Sequence, residues 1–231
     1  DANRMFMAAC IFGVLSICCY MACYKMSTER ISAPAQAKDN SNFKATLKGL
    51  MKNKPLLWLL VSALLLMTNV MFIGAVNIYL FKDYFESTAA LSVYGVVQSV
   101  AAFAVMPLIA PLVKKFGKKE ISAFGLALAA IAYYALFFMK DLSGMGFVAF
   151  AAVGLFGTAF FNTVVWAFVT DVIDYHELLT GLREDGTVYS IYSFSRKVGQ
   201  AIAGGIGGAA IAAVGYNAAN AVQTESTLNG I

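Results

Sequence analysis

The most constraining feature of this 231-residue chain is a series of six apolar runs, separated from one another by stretches that carry most of the charge. Hydrophobic residues make up 60% of the chain and charged residues 13%; soluble domains average about 45–50% and 25%. A helix crosses a bilayer with about 20 apolar residues, whereas barrel strands are shorter and alternate in polarity. The sequence therefore predicts an all-α membrane protein. The predicted spans are Met5–Tyr24, Leu56–Phe81, Leu91–Val113, Ile121–Met139, Gly146–Thr170 and Val188–Tyr216.

Lys and Arg residues are distributed unevenly between the two sides of these spans. Of the 17 basic residues, 12 fall in the connections 25–55, 114–120 and 171–187, and 3 fall on the opposite side. Basic connections are retained in the cytoplasm, so we expect the first residue outside and the connection 25–55 inside. The net charge of +4 is too small to suggest a nucleic-acid partner.

The long connection 25–55 separates one predicted span from five. This asymmetry is unusual for a complete protein, and the chain also opens without a start methionine or a signal peptide. We expect a window on a twelve-helix protein. Residues 1–24 would be the last helix of its N-terminal half, 25–55 its central cytoplasmic linker, and 56–231 helices seven to eleven, with helix twelve missing.

The sixth predicted span contains two basic residues, Arg196 and Lys197. Polar groups inside a membrane are costly and tend to face a cavity or a bundle interior. Ser193 and Lys197 share a helical face, on which Lys197 would donate hydrogen bonds to substrate hydroxyls or a carboxylate. Alternatively, the helix begins near Ser190 and both cations extend to the cytoplasmic surface. Five glycines in this span are predicted to allow close helix approach, with Gly204 and Gly208 spaced as GxxxG. They are Gly199, Gly204, Gly205, Gly207 and Gly208.

The fifth predicted span has polar residues at intervals of four. Asn162 and Trp166 share one face, together with Thr158 and Thr170. An aromatic ring and an amide at this spacing would suit a polyol, whereas hydrogen bonding between helices and a packed Trp explain the pattern equally well. The residues predicted to bind substrate are Lys197, Asn162, Ser193, Trp166 and Tyr189.

The connection after the fifth span is acidic. We expect Asp171 and Asp174 to pair with Arg183, Arg196 or lysines of other cytoplasmic connections in one conformation and to release them in another. These ion pairs would form a gate. One histidine and no cysteine in this segment argue against a zinc or iron site, so we expect no bound metal.

Two stretches resemble a known transporter family. Residues 171–200 fit the pattern D-x-x-D-Y-x-E-x-x-T-G-x-R-x-[ED]-G, followed by a helix with F-x-x-K-x-G-x-A. This pattern resembles the connection between helices ten and eleven of the glycoside–pentoside–hexuronide:cation symporters, the melibiose-permease-like branch of the major facilitator superfamily. Residues 111–119 look like that family's connection between helices eight and nine.

The resemblance implies a C-terminal half-bundle of that superfamily, in a bacterial cytoplasmic membrane. It implies a sugar carried together with Na⁺, H⁺ or Li⁺ by alternating access, with no other cofactor and no enzymatic activity. Lys197 matches a helix-eleven lysine of the sugar and cation region. A helix-ten tryptophan of the family falls at Asn162, with Trp166 one turn later. The family's cation-binding carboxylates lie in the N-terminal half, so that half and the lipid bilayer are the expected partners.

Three other functions remain open from the residues alone. The first is a major facilitator for another solute class, with a more apolar cavity. The second is a non-transporting membrane sensor. The third is a membrane enzyme, for which Asp171, Asp174, His176 and Glu177 are the candidate catalytic residues.

Overall fold

A computed structural model describes residues 2–28, 43–139, 142–217, 223–228 and 230. The chain forms two compact units, Asp1–Ala45 and Thr46–Ile231. Helix α1, Ala2–Met26, lies in the first unit. The predicted linker 25–55 is described at its two ends, and its residues 29–42 lie outside the described ranges.

Helices account for nearly all of the described second unit. Helix α2 spans the boundary between the units, and a π-helical turn, Leu80–Tyr84, continues α3. The helices are α2 Phe43–Lys52, α3 Lys54–Tyr79, α4 Thr88–Phe116, α5 Lys118–Phe138, α6 Gly144–Thr180, α7 Asp185–Ala213 and α8 Glu225–Leu228.

Five helical segments in the described ranges are long and apolar enough to cross a membrane: Asn3–Met26, Lys54–Tyr84, Thr88–Phe116, Lys118–Phe138 and Gly144–Thr180. They correspond to the first five predicted spans and confirm an all-α membrane architecture. The sixth predicted span forms α7, which is long enough but less apolar because it contains Arg196, Lys197, Gln200 and several glycines. Its crossing of the membrane stays a prediction.

Helix α7 packs along α3 through a row of small residues. Ser195, Gly199, Ala203 and Gly207 are buried on this face. A Cβ atom added at Gly199 would lie 2.5 Å from the Leu64 carbonyl oxygen, so only glycine allows this approach. Of the glycines predicted to allow close helix approach, Gly199 and Gly207 lie at this contact with α3. Gly204 and Gly208 have nothing within 4 Å of an added Cβ in the described structure, because they lie on the opposite face of α7.

Helix α6 packs against both α4 and α5 and forms the centre of the second unit. Gly157 meets the backbone of Gly125 and Ala129 on α5, another close crossing of small residues. Val148, Ala151 and Leu155 pack with the core around Phe81. Small residues suit helix association in a bilayer, where lipid tails are as apolar as the helices and close packing provides the attraction.

The segment 171–180 is helical, although the fifth span was predicted to end at Thr170 and a connection to follow it. Helix α6 continues ten residues beyond the predicted end at Thr170 and stops at Thr180. Gly181 then adopts φ 72°, and its N–H donates to the Glu177 carbonyl oxygen at 2.8 Å. A left-handed glycine is the common way to end an α-helix. The acidic side chains of this segment therefore occupy fixed positions on a helix.

We expect Gly199→Ala to lower the stability of the protein by about 1–3 kcal/mol, because the new methyl group overlaps the α3 backbone. The matched control is Gly186→Ala in the first turn of α7, where an added Cβ meets nothing within 4 Å. It should be neutral or stabilising by up to about 1 kcal/mol. Thermal unfolding of the two purified variants measures the difference, and equal melting temperatures would contradict the close contact.

Candidate functional site

A cavity of about 400 Å³ lies between α3, α4, α5 and α6. Its wall combines aliphatic side chains with amide, hydroxyl and aromatic groups, the mixture found in sites for small polar molecules. No charged side chain is among the described residues that line it. The polar and aromatic lining residues are Asn69, Tyr94, Gln98, Tyr133, Thr158, Asn162, Thr163 and Trp166.

Asn162 and Trp166, two of the predicted substrate residues, both line this cavity. The Asn162 amide nitrogen donates to the Thr158 carbonyl oxygen at 3.2 Å. The Thr158 hydroxyl is held by the carbonyl oxygens of Gly154 and Leu155. No described residue donates to the Asn162 amide oxygen, which leaves it as an acceptor at the cavity wall. Trp166 is 46% exposed, so part of its ring is open to a ligand.

The Trp166 ring forms an aromatic group with α7. It stacks on Tyr189 with centroids 6.4 Å apart and meets Tyr192 edge-on at 5.8 Å. The Arg196 guanidinium carbon lies 5.4 Å from the centroid of Trp166 and 5.8 Å from that of Tyr192. A cation over aromatic faces is attracted by their quadrupoles. The described structure therefore places Arg196 at aromatic rings and at no carboxylate, although a gating pair was predicted for it.

Lys197 and Ser193 lie outside the cavity lining. Lys197 is exposed, and its Nζ donates to the Gln200 Oε1 atom at 3.2 Å. Ser193 is half-buried. Their predicted role at a substrate stays a prediction, as does that of Tyr189, which reaches the cavity only through its stack on Trp166.

Asp171 pairs with a lysine from the start of α5. The Nζ atom of Lys118 lies 2.7 Å from both carboxylate oxygens of Asp171. Each side chain is partly exposed, so the pair is accessible to water. This bond joins the first turn of α5 to the C-terminal part of α6, as the prediction of pairing with a lysine of another connection implied.

Arg183 holds three carboxylates just beyond α6. Its guanidinium lies 3.3 Å from Asp174, 2.8 Å from Glu177 and 3.1 Å from Asp185. Hydrogen bonding to Asp185, and then to Glu177, raises the pKa of Arg183, so the guanidinium stays charged over the whole usable pH range. The network ties the last turns of α6 to the start of α7. Together with the Lys118–Asp171 bond, we call it the ion-pair cluster.

A buried polar layer lies beside the ion-pair cluster. His176 is fully buried, and its Nε2 lies 3.0 Å from a Glu184 carboxylate oxygen. Gly49 of α2 packs against the same imidazole. Asn53, also fully buried, accepts from the Leu56 N–H as the N-cap of α3 and donates to the Val172 carbonyl oxygen at 3.2 Å. These contacts attach α2 and α3 to the end of α6.

Sequence reasoning did not single out Tyr192, Lys118 or Asn53. The Tyr192 position could have been found from its spacing of four to Arg196. Asn53 carries a visible signal, an Asn one residue before Lys54-Pro55 at a helix start. The Lys118–Asp171 bond joins residues 53 positions apart, and no local pattern predicts it. Within the described ranges, no three His, Cys, Asp or Glu side chains are grouped to hold a metal ion.

The fold and cavity define a multi-pass helical membrane protein. The family model for MFS/sugar transport proteins matches residues 1–231, and the chain belongs to that family. This confirms the resemblance and the expectation that the chain is not an enzyme.

The chain is also similar to several curated bacterial proteins. An uncharacterized symporter of Bacillus subtilis, YjmB, is 30% identical over 222 residues, covering 96% of this chain and 48% of the relative. The isoprimeverose transporter of Lactiplantibacillus pentosus is 30% identical over 239 residues, covering 100% and 48%. The glucuronide carrier protein homolog of Escherichia coli is 29% identical over 222 residues, covering 96% and 48%. The chain thus spans about half the length of these relatives, and their source supports a bacterial membrane protein.

We expect Asn53→Ala to destabilise the protein more than removal of a comparable cap elsewhere. The substitution removes the α3 cap and also the buried side-chain bond to the Val172 carbonyl oxygen, which joins α3 to α6. Ser143→Ala is the control, because Ser143 caps α6 through the Gly146 N–H and is exposed. The control should cost about 1 kcal/mol, and Asn53→Ala about 1–3 kcal/mol more. Thermal unfolding tests this, and equal losses would contradict the bridging role of Asn53.

Proposed function

We propose that this chain forms the C-terminal half of a secondary active transporter that carries a glycoside, pentoside or hexuronide together with a cation by alternating access. Membership of a sugar-transport family and similarity to proteins named as symporter, carrier and transporter support this proposal. The match to about half of each relative fits a chain that works together with a second half.

The cavity is the structural observation that carries the proposal. Asn162 and Trp166 lie one helical turn apart in its wall, so an amide and an indole ring can act on one ligand. An amide binds sugar hydroxyls, and an aromatic ring packs on the apolar face of a sugar ring. Asn69 and Gln98 add two more amides from α3 and α4. Four polar groups on three helices suit a molecule with many hydroxyls better than an apolar solute.

The coupling cation is proposed to bind outside this cavity wall. Na⁺, H⁺ and Li⁺ are the cations that the resemblance implies. Na⁺ and Li⁺ bind to several oxygen atoms, whereas H⁺ binds to a titratable side chain such as a carboxylate. The described residues that line the cavity supply amide and hydroxyl oxygens but no carboxylate. Because the family that the chain resembles has its cation-binding carboxylates in the N-terminal half, we propose that the cation ligands belong to that half, with Lys197 near them.

The ion-pair cluster is proposed to be the cytoplasmic gate. It connects α5, α6 and α7 at one end of the bundle. Exposed pairs of this kind are weak individually, so a change of helix position can break them without a large energetic barrier. The cluster would form in one conformation of the transport cycle and open in the other.

Uptake by cells that express the full-length transporter tests the proposed function. We would supply radiolabelled glycosides, pentosides and uronic acids, with and without a Na⁺ gradient at fixed pH, and then with a proton gradient. We expect accumulation of one class, driven by one cation, and its loss with Asn162→Ala at unchanged abundance in the membrane. Absence of uptake across the panel, with the protein present in the membrane, would favour another solute class or a sensor.

Removing the Lys118–Asp171 pair should change the transport rate more than sugar affinity. Loss of about 1 kcal/mol from one conformation shifts the balance between two states about fivefold. We therefore expect Lys118→Gln and Asp171→Asn to change the rate by about fivefold or less and in the same direction, with sugar affinity altered less than twofold.

The control for charge removal is Lys119→Gln, the neighbouring exposed lysine. It should leave both quantities unchanged. The double variant Lys118→Gln/Asp171→Asn should resemble each single variant, since both remove the same bond. Additive effects in the double variant would show that the two residues act separately and would contradict the gate.

A further inference from the structure

Arg196 is a cation in the middle of α7, and its guanidinium group lacks hydrogen-bond partners for some of its N–H groups. Its Nη2 contacts the Met67 sulfur at 3.7 Å, and its charge lies over the Trp166 and Tyr192 rings. Its Nε atom is buried and has no hydrogen-bond partner. Within the described ranges, no carboxylate forms an ion pair with it. A guanidinium carries five N–H donors, and a sulfur atom and two π faces satisfy few of them.

The part of the Arg196 guanidinium that lacks hydrogen-bond acceptors is the edge that carries its N–H groups. Aromatic rings attract the flat face of the cation, and they accept no conventional hydrogen bonds from its N–H groups. Those N–H groups match the oxygens of a carboxylate or a sulfonate, which Arg binds with two parallel bonds. A buried donor without a partner is costly, so a residue kept in this state is expected to meet an acceptor during function.

The rings place this cation beside the substrate cavity. Trp166 lines the cavity, and the guanidinium carbon of Arg196 lies 5.4 Å from the centroid of the Trp166 ring. The cavity wall itself holds no carboxylate that could satisfy Arg196 from that side, among the residues described. A ligand that contacts Trp166 and Asn162 would therefore have its hydroxyl groups at neutral amide groups. One end of the ligand would lie near the positive charge of Arg196.

Lys197 differs from Arg196 in each of these respects. It is exposed, its Nζ donates to Gln200, and no aromatic ring fixes its position in the described structure. An ammonium group also lacks the planar pair of donors that an acid group engages. Neither cation is among the described residues that line the cavity, but Arg196 contacts a ring that does, and Lys197 does not.

We propose that Arg196, oriented by Trp166 and Tyr192 beside the cavity, binds the acid group of the ligand, and that the transported molecule is a hydroxylated compound bearing a carboxylate or a sulfonate. This inference rests on the proposed transport function and narrows its substrate to acids. Trp166 orients the cation and Asn162 binds the hydroxyls of the same ligand. Arg196 thus determines the charge of the accepted substrate.

Three ligands with the same sugar ring test this proposal. They are methyl β-glucoside, its 6-carboxylate (methyl β-glucuronide) and its 6-deoxy-6-sulfonate. Binding to the purified full-length transporter is measured for the wild type, Arg196→Gln and Arg196→Lys. We expect the wild type to prefer at least one of the two acids over the glucoside by tenfold or more. The stronger of the two identifies the acid group.

Arg196→Gln should weaken binding of that acid about tenfold or more and leave glucoside binding within threefold. Arg196→Lys keeps the charge and loses the planar donor pair, so we expect an intermediate loss. Lys119→Gln removes a charge at an exposed position and should leave all three affinities unchanged. If Arg196→Gln does not yield folded protein, the charge-retaining Lys variant still tests the planar pair, with an expected loss for the acid of threefold or more.

A fluorescence measurement locates the bound acid. The chain has two tryptophans, so Trp58→Phe leaves Trp166 as the reporter within this chain. Binding of the preferred acid should change its emission saturably, with the same midpoint as the binding curve, and Arg196→Gln should shift that midpoint. Trp58 is an exposed residue of α3 outside the cavity lining, so its replacement should not change affinity.

Several results would overturn the inference. Equal loss of acid and neutral binding in Arg196→Gln, with intact protein, would show that Arg196 pairs with a protein group. Unchanged acid binding, or acid binding without a change in Trp166 emission, would remove Arg196 from the site. Transport of a neutral sugar without preference for the acids would overturn the anion site and leave the proposed function standing. Absence of transport for every sugar would overturn both.

Discussion

The close contact of α7 with α3 determines where every polar group of α7 lies. At Gly199 the two backbones approach without a side chain between them, and Ser195 donates to the Leu60 carbonyl oxygen at 2.7 Å beside this point. Thr68 donates in the opposite direction, to the Gly199 carbonyl oxygen at 3.2 Å. In lipid, such small-residue contacts and hydrogen bonds replace the hydrophobic effect as the source of helix association. This contact fixes the rotation of α7 and so places Arg196 against Trp166.

The six predicted spans form helices, whereas helix α2, inside the predicted linker, and the end of α6 did not follow from the sequence. Apolar runs show where a chain crosses a membrane because lipid imposes a simple length and polarity requirement. At the end of α6 the charges of Asp171 and Asp174 end the apolar run, although the helix continues. The helix is stable there because Lys118 and Arg183 pair with these acids and Gly181 supplies the cap. Hydropathy indicates whether a helix is surrounded by lipid or by water, whereas the residue at which the helix ends depends on capping and on ion pairs.

The site was predictable where its geometry is local. Asn162 and Trp166 lie four residues apart, so any α-helix places them on one face, and the cavity lies at that face. The stack of Trp166 on Tyr189 and Arg196 depends on the rotation of one helix against another. That rotation is set by contacts such as Gly199, and the glycine pattern alone did not show which of the predicted glycines make the contact. Spacing along the chain predicts which residues are neighbours within one helix, whereas contacts between helices depend on tertiary packing.

Helix α6 is continuous for 37 residues, from Gly144 to Thr180, with no break between the cavity and the ion-pair cluster. At about 1.5 Å per residue it is about 55 Å long, well beyond the 30 Å or so of a hydrocarbon layer. Trp166 and Glu177 are therefore about 16 Å apart on one rod. A tilt of this rod about its crossing with α5 at Gly157 moves Glu177 roughly twice as far as Trp166. A rigid helix of this length would thus convert a small displacement at the cavity into a larger one at the ion pairs.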